Sequence, residues 1–180
     1  MTTKPPILTM ERTFAASRER VFAAWSDPEL MRRWWGAGPD WTSPRVEIDL
    51  RPGGRYRLAM TDPGADAEYT VGGEYVEVVP PERLVYTWAW ETPGSPTGDL
   101  QTLVTVEFID AGGATTVRLT HTGFTDAHGR DRHAVDGRRL QVKRREDRQV
   151  GAVGPEGDVG PLVDRVADHV VGEAGARRAV

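Results

Sequence analysis

The first part of the chain predicts one strand followed by two short helices. Residues 7–14 alternate weakly between apolar and polar side chains, as a strand does. Arg18–Ser26 follows a capping serine and repeats its apolar residues at one-turn spacing, which predicts a helix. Asp27 is a good cap for a second helix, and Pro28 suits a first helical position because its missing N–H has no helical partner to lose. We therefore expect a second short helix over residues 28–35.

Six further segments are predicted strands, and most of them alternate apolar and polar residues with a period of two, as strands with one solvated face do. Turn residues separate several of them, at positions 52–54, 80–81 and 111–113. The segment 70–79 has an ambiguous inner face, because its apolar residues come in pairs that break the alternation. Strands linked by hairpins favour an antiparallel sheet, and we predict one sheet of six or seven strands within residues 7–122.

The last third of the chain differs in kind. Every Trp, Tyr and Phe lies at or before Phe124. Residues 138–148 (RRLQVKRREDR) form a charge run, and only residues 161–174 recover a helical stripe of apolar side chains. We therefore divide the chain into a domain over residues 7–133 and an atypical segment over residues 134–180, which we expect to be the least stable part of the molecule.

Composition narrows the class of protein. A chain of 180 residues with 38% hydrophobic residues can bury one core. Its net charge of -4 gives no electrostatic reason to bind nucleic acid or an anionic membrane. Cysteine is absent, which excludes disulfides and thiolate chemistry. Neither a signal-peptide pattern nor an apolar stretch of about 20 residues is present, so we expect a cytoplasmic protein. The abundance of Arg, Ala, Gly and Val indicates a GC-rich, bacterial genome.

Four phrases in one order carry a family resemblance. They are residues 17–36 (SRERVFAAWSDPELMRRWWG), 51–58 (RPGGRYRL), 80–88 (PPERLVYTW) and 119–124 (LTHTGF). In residue type, order and spacing they resemble the activator of heat-shock-protein-90 ATPase family, a branch of the START-like (SRPBCC) superfamily. The likeness covers roughly residues 7–133. Its most specific part is the pair Trp34-Trp35 after Asp27-Pro28, followed by Arg-Pro-Gly-Gly.

The resemblance implies an α+β, helix-grip fold. In that fold a curved antiparallel sheet wraps around a long C-terminal helix, a hydrophobic cavity lies between them, and two small helices close one end. Residues 133–140 begin like the expected helix and then lose its apolar stripe. Two explanations compete. The helix is broken, with residues 161–174 as its displaced second half, or the reading frame shifts near residues 134–137.

The implied cavity directs attention to the inner face of the sheet. Large aromatic side chains there could grip a flat apolar ligand, with His121 as a polar handle. The competing interpretation is that the same residues only fill the core. Trp34 and Trp35 could either gate the cavity or anchor the second helix. The candidate ligand-binding residues are Trp35, Tyr56, Trp88, Trp90, Val106, Leu119 and His121.

No motif in the sequence supplies a catalytic or metal site. His128 and His133 are five residues apart, a spacing that does not match a helical zinc pair. The patterns GxSxG, the P-loop and the dinucleotide fingerprint are absent. The charge run at residues 138–148 lacks interleaved aromatics, which argues against nucleic-acid binding. We therefore assign no catalytic residue, no metal and no cofactor.

Three functions remain in order of preference. The first is non-enzymatic binding of a small hydrophobic molecule in the cavity. The second is a protein-interaction role implied by the family name, in which the protein binds a chaperone ATPase and stimulates it. The third is a cyclase or hydrolase that uses a cavity acid or His121, and it ranks last because the sequence shows no base–nucleophile pair. The expected oligomeric state is a monomer or a homodimer.

Overall fold

A computed structural model describes residues 5–36, 41–64, 67–93 and 100–125 of the chain. They form one curved, seven-stranded antiparallel sheet with two short helices between its first two strands. The sheet order is β1-β7-β6-β5-β4-β3-β2. The elements are β1 (Leu8–Phe14), α1 (Arg18–Ser26), α2 (Pro28–Arg32), β2 (Thr42–Ile48), β3 (Arg55–Asp62), β4 (Ala67–Val79), β5 (Arg83–Trp90), β6 (Thr102–Asp110) and β7 (Thr115–Thr122). The predicted helix-grip sheet and the two short helices after its first strand are confirmed, and the predicted C-terminal helical segment lies outside the described residues.

One aspartate joins the two helices. Asp27 ends α1 through a backbone bond to Ala23 O (2.8 Å) and begins α2, where its Oδ1 accepts from the backbone N–H groups of Glu29 (2.8 Å) and Leu30 (3.2 Å). Helix α2 ends at Arg32, three residues earlier than the sequence pattern predicts. The next turn tightens, because Trp34 N bonds the carbonyl three residues back (3.1 Å) instead of four. This tight turn places Trp34 and Trp35 beside the sheet.

Strand β4 contains the irregularity behind its ambiguous sequence pattern. Its register against β5 shifts between Tyr75 and Glu77, as at a β-bulge. Tyr75 consequently faces the core, while Val76 projects outward with 56% of its surface exposed. A bulge adds one residue to one strand, so strict alternation cannot hold across it.

The helices pack against the concave face of the sheet. Phe108 of β6 is fully buried and makes edge-on ring contacts with Phe22 (5.2 Å) and Trp25 (5.6 Å) of α1. Buried residues from all seven strands join this core, among them Phe14, Leu58 and Val104. The aromatic packing fixes α1 over the middle of the sheet.

The convex face carries a charge ladder across five neighbouring strands. Arg118 pairs with Glu11 on one side and with Glu107 (3.8 Å) on the other. Arg83 then pairs with Glu107 (3.7 Å) and with Glu77 (3.5 Å). These side chains are partly exposed, so the ladder favours the strand register more than it adds stability.

Several predictions fall outside the described residues. They include the whole segment 134–180, its charge run, and the histidines His128 and His133. In the described part of the chain, neither helix has the length and apolar character needed to cross a membrane.

Candidate functional site

A small cavity lies between the helical segment and the concave face of the sheet. Its volume is about 20 Å³, and aromatic and aliphatic side chains enclose it. A space of this size accommodates about one water molecule, so the side chains nearly fill the cavity. The lining residues are Trp25, Met31, Trp34, Trp35, Ile48, Tyr56, Leu58, Tyr75, Tyr86 and Trp88.

The two adjacent tryptophans after α2 play different structural roles. Trp34 is buried, and its indole N–H donates to the carbonyl of Ala24 in α1 (2.8 Å), which anchors the segment to the first helix. Trp35 is only half-buried and lies 5.6 Å from the ring of Trp88 on β5. The Trp35 carbonyl accepts from the hydroxyl of Ser43 at the start of β2. Trp34 is thus the anchor, and Trp35 closes one wall of the cavity.

Three tyrosines from neighbouring strands form the opposite wall. The rings of Tyr56, Tyr75 and Tyr86 lie between 5.2 and 5.8 Å from one another. The Tyr56 hydroxyl reaches across β4 and donates to the carbonyl of Thr87 on β5 (2.7 Å). Gly73 lies opposite Tyr56 in the ladder, and a Cβ there would come within 1.9 Å of that same carbonyl oxygen. A glycine is therefore required for the close approach of β4 to β5.

The cavity wall is uncharged. Burial raises the pKa of Tyr56, Tyr75 and Tyr86, and for Tyr56 the neighbouring Tyr86 and Tyr75 raise it further. These hydroxyls consequently stay protonated well above neutral pH. None of the ten lining side chains is a carboxylate, a histidine, a lysine or an arginine. The lining presents apolar surface with hydroxyl and indole groups and has no ionic partner to offer.

His121 belongs to a buried hydrogen-bond pair behind Trp88. The Thr102 hydroxyl lies within hydrogen-bond distance of the carbonyl of Trp88 (3.2 Å) and of Nε2 of His121 (2.6 Å), and the imidazole tautomer decides which partner donates in the second bond. The imidazole also packs against Phe124 (4.7 Å) and Trp88 (5.9 Å). Thr102 was not among the sequence candidates, because the pair joins residues 19 positions apart.

The sequence-predicted site residues do not all meet at one site. Trp35, Tyr56 and Trp88 line the cavity. Trp90 lies beside Trp88 with ring centroids 5.9 Å apart, and Val106 is fully buried in the core. Leu119 lines a second space of about 20 Å³, between β1, β7 and Trp25 of α1.

The sequence interpretation missed other residues of the wall. Tyr86 alternates in phase with Trp88, so strand periodicity alone could have added it. The bulge in β4 concealed Tyr75. Within the described ranges, no group of three His, Asp or Glu side chains could hold a metal ion.

Comparison with known proteins gives the family. A model for the family described as "Activator of Hsp90 ATPase homolog 1-like protein" matches residues 15–142. The chain belongs to this family. The matched region begins just before α1 and includes every residue that lines the cavity. No curated protein gives a significant match to the chain.

Several solved structures share the fold of this chain. A Mycobacterium smegmatis protein is 26% identical with a TM-score of 0.62, over 73% of this chain and 80% of that one. A Chromobacterium violaceum protein is 26% identical with a TM-score of 0.58, over 68% and 83%. An AHSA1-like protein from Aeromonas hydrophila is 24% identical with a TM-score of 0.58, over 72% and 84%. The likeness covers most of each of the three structures.

Proposed function

We propose that the protein binds a small, uncharged apolar molecule in the aromatic cavity. The observation that carries this proposal is the composition of the wall, in which Trp35 from the helical segment faces Trp88 and the tyrosine cluster from the sheet. Flat aromatic walls on two opposed elements favour a flat apolar ligand between them. The absence of charged groups from the lining disfavours an ionic ligand, because its charge would be buried without a partner.

Binding requires the cavity to enlarge. A volume of about 20 Å³ is far below the size of even a one-ring ligand, so a wall must move. The Trp35 wall is the one suited to this movement. It is half-buried, and a few bonds to β2 hold it: the Ser43 hydroxyl to Trp35 O, and Arg32 to the carbonyls of Ser43 (3.3 Å) and Pro44 (3.2 Å). We therefore propose that the ligand induces the Trp35 wall to open on the side of the cavity next to β2.

A blocking variant tests this proposal. Ile48 lines the cavity and is half-buried, so Ile48→Phe adds volume where a ligand would lie. We expect equilibrium dialysis to show binding of naphthalene to the wild-type protein and at least a tenfold weaker binding to Ile48→Phe. Val76→Phe, at an exposed position of β4, is the matched control and should bind as the wild type does. Equal binding by all three proteins would exclude the cavity as the site.

Interaction with a chaperone ATPase is the second candidate. The family description names such an activity. The nearly filled cavity also favours it, because a protein that acts through its surface does not need an open ligand cavity. The test is the steady-state ATPase rate of an Hsp90-type chaperone with increasing amounts of the protein. A saturable rise in rate supports this role, and an unchanged rate together with no complex in analytical ultracentrifugation excludes it.

A further inference from the structure

The indole of Trp35 brings a buried polar atom to the cavity wall. The indole Nε1 of Trp35 is buried and has no hydrogen-bond acceptor among the protein groups that the structure describes. Buried donors are nearly always paired, because an unpaired donor keeps the full cost of its desolvation. The neighbouring Trp34 shows the usual arrangement, since its Nε1 bonds Ala24 O. The unpaired donor at Trp35 therefore calls for an explanation.

We infer that Trp35 is a specificity-determining residue whose indole N–H donates to an acceptor atom of the bound ligand. This inference rests on the proposed binding function and narrows its ligand class to flat, uncharged molecules that carry a ring nitrogen, ether or carbonyl oxygen. Trp35 lines the cavity and lies against Trp88, so an acceptor on a ring held beside Trp88 is near the indole. The surrounding wall supplies no charge, so the acceptor is a neutral atom rather than a carboxylate.

The fixed bonds of the other polar groups strengthen the assignment to Trp35. The Tyr56 hydroxyl is already used by Thr87 O, and the Trp34 indole is used by Ala24 O. The hydroxyls of Tyr75 and Tyr86 can serve a ligand as donor or as acceptor, so they do not discriminate between the two. An indole N–H can only donate. Trp35 is thus a donor-only group of the helical-segment wall, and a ligand with an acceptor can use it where an isostere without one cannot.

Naphthalene and quinoline form a suitable probe pair. The two molecules have the same shape, and quinoline replaces one C–H by a ring nitrogen that accepts a hydrogen bond and is uncharged above neutral pH. Equilibrium dialysis measures the affinity of both probes for the wild-type protein and for Trp35→Phe. The quinoline-to-naphthalene affinity ratio is then compared between the two proteins, so that the unequal hydration of the probes cancels. We expect the quinoline-to-naphthalene affinity ratio to fall about 3- to 10-fold in Trp35→Phe.

A matched control uses another half-buried tryptophan. Trp41 stacks on Tyr69 (5.7 Å) away from the cavity lining, so Trp41→Phe should leave the affinity ratio unchanged. An independent measurement on the wild-type protein guards against misfolding of the Trp35 variant. In 15N-tryptophan-labelled protein, quinoline should move the Trp35 indole proton resonance downfield, while naphthalene should not.

The outcomes separate this inference from the proposed function. Binding of both probes with an affinity ratio that survives Trp35→Phe, or with an unmoved indole resonance, overturns the role of Trp35 and leaves cavity binding in place. Stronger binding of 1-naphthoate than of naphthalene overturns the uncharged ligand class. Binding of neither probe to the wild-type protein overturns both the inference and the proposed function.

Discussion

At the scale of single residues, Trp88 connects the cavity to the buried polar pair. One side of its ring meets Trp35 across the cavity, and another meets His121, while its carbonyl accepts from Thr102. The side chain retains only 9% of its surface exposure. Removal of this ring would therefore leave a hole that several rigid aromatic neighbours cannot close.

We expect Trp88→Ala to lower the free energy of unfolding by about 3–5 kcal/mol, the range for a buried aromatic truncated to alanine. Urea denaturation followed by far-UV circular dichroism measures this change. Val76→Ala on the adjacent strand is the control and should stay within about 0.5 kcal/mol of wild type, because Val76 is largely exposed. A loss of only about 1–2 kcal/mol for Trp88→Ala would show that the cavity is already open around the ring in solution.

The tyrosine cluster makes the free energy of unfolding fall as the pH rises into the alkaline range. Burial raises the pKa of Tyr56, Tyr75 and Tyr86 in the folded state above the unfolded value of about 10. Above that pH the unfolded chain loses these protons and the folded chain keeps them, so stability is full below about pH 10 and declines as pH rises. Each such tyrosine contributes a slope of about 1.4 kcal/mol per pH unit. Urea melts between about pH 9 and pH 11 should show the decline. In Tyr75→Phe the slope of the unfolding free energy against pH should be smaller by the contribution of one tyrosine, about 1.4 kcal/mol per pH unit.

At the scale of elements, the α1–α2 junction depends on one side chain. Asp27 closes the first helix and caps the second, and α2 is too short to persist by its own propensity. We expect Asp27→Ala to cost about 1 kcal/mol of stability, while Asp27→Asn, which keeps a cap oxygen, should cost markedly less. Thermal melts of the two variants provide the comparison. Equal losses would mean that packing of Trp34 and Met31, rather than the cap, holds α2 in place.

Hydrogen bonds of Arg32 and Trp35 connect the helical segment to β2. Ser43→Ala removes the hydroxyl that bonds Trp35 O, and Arg32→Ala removes the bonds to the carbonyls of Ser43 and Pro44. If the Trp35 wall opens for ligand entry, both variants should accelerate naphthalene association in stopped-flow tryptophan fluorescence by several-fold. The folded spectrum should be preserved. Unchanged association rates in both variants would show that the ligand enters elsewhere.

The limits of sequence interpretation are also clearest in the elements. The alternation of β6 and β7 predicted their inner faces, because a regular strand keeps its period of two. The bulge in β4 has no such signal, since EYVEVV fits either face until β5 sets the register. Helix α2 was predicted too long because tertiary contacts, which the sequence pattern does not contain, set its end. The Trp34-Trp35 pair continues a helical pattern, and only tertiary contacts turn it toward the sheet.

At the scale of the whole molecule, the family resemblance carried more information than any single residue. Four phrases predicted the helix-grip sheet, and the family match over residues 15–142 agrees with that resemblance. The candidate cavity was less accessible to sequence reasoning. Its volume depends on how Tyr75, Tyr86 and Trp35 pack, and such packing arises from three separate chain segments at once. The sequence candidates therefore include only three residues of the wall, Trp35, Tyr56 and Trp88, and they could not give the volume of the cavity.

The two faces of the sheet should contribute unequally to the stability of the molecule. The concave face buries aromatic side chains, whereas the convex ladder consists of partly exposed ion pairs that water and salt screen. Glu107 is the central member of that ladder, with contacts to both Arg83 and Arg118. We expect Glu107→Gln to shift the urea midpoint far less than Trp88→Ala does, and the shift should disappear in 1 M NaCl. The Trp88→Ala shift should persist at that salt concentration, because burial of apolar surface is not screened by ions. A Glu107→Gln shift as large as that of Trp88→Ala would place the stability of the sheet in its charge ladder instead of its aromatic core.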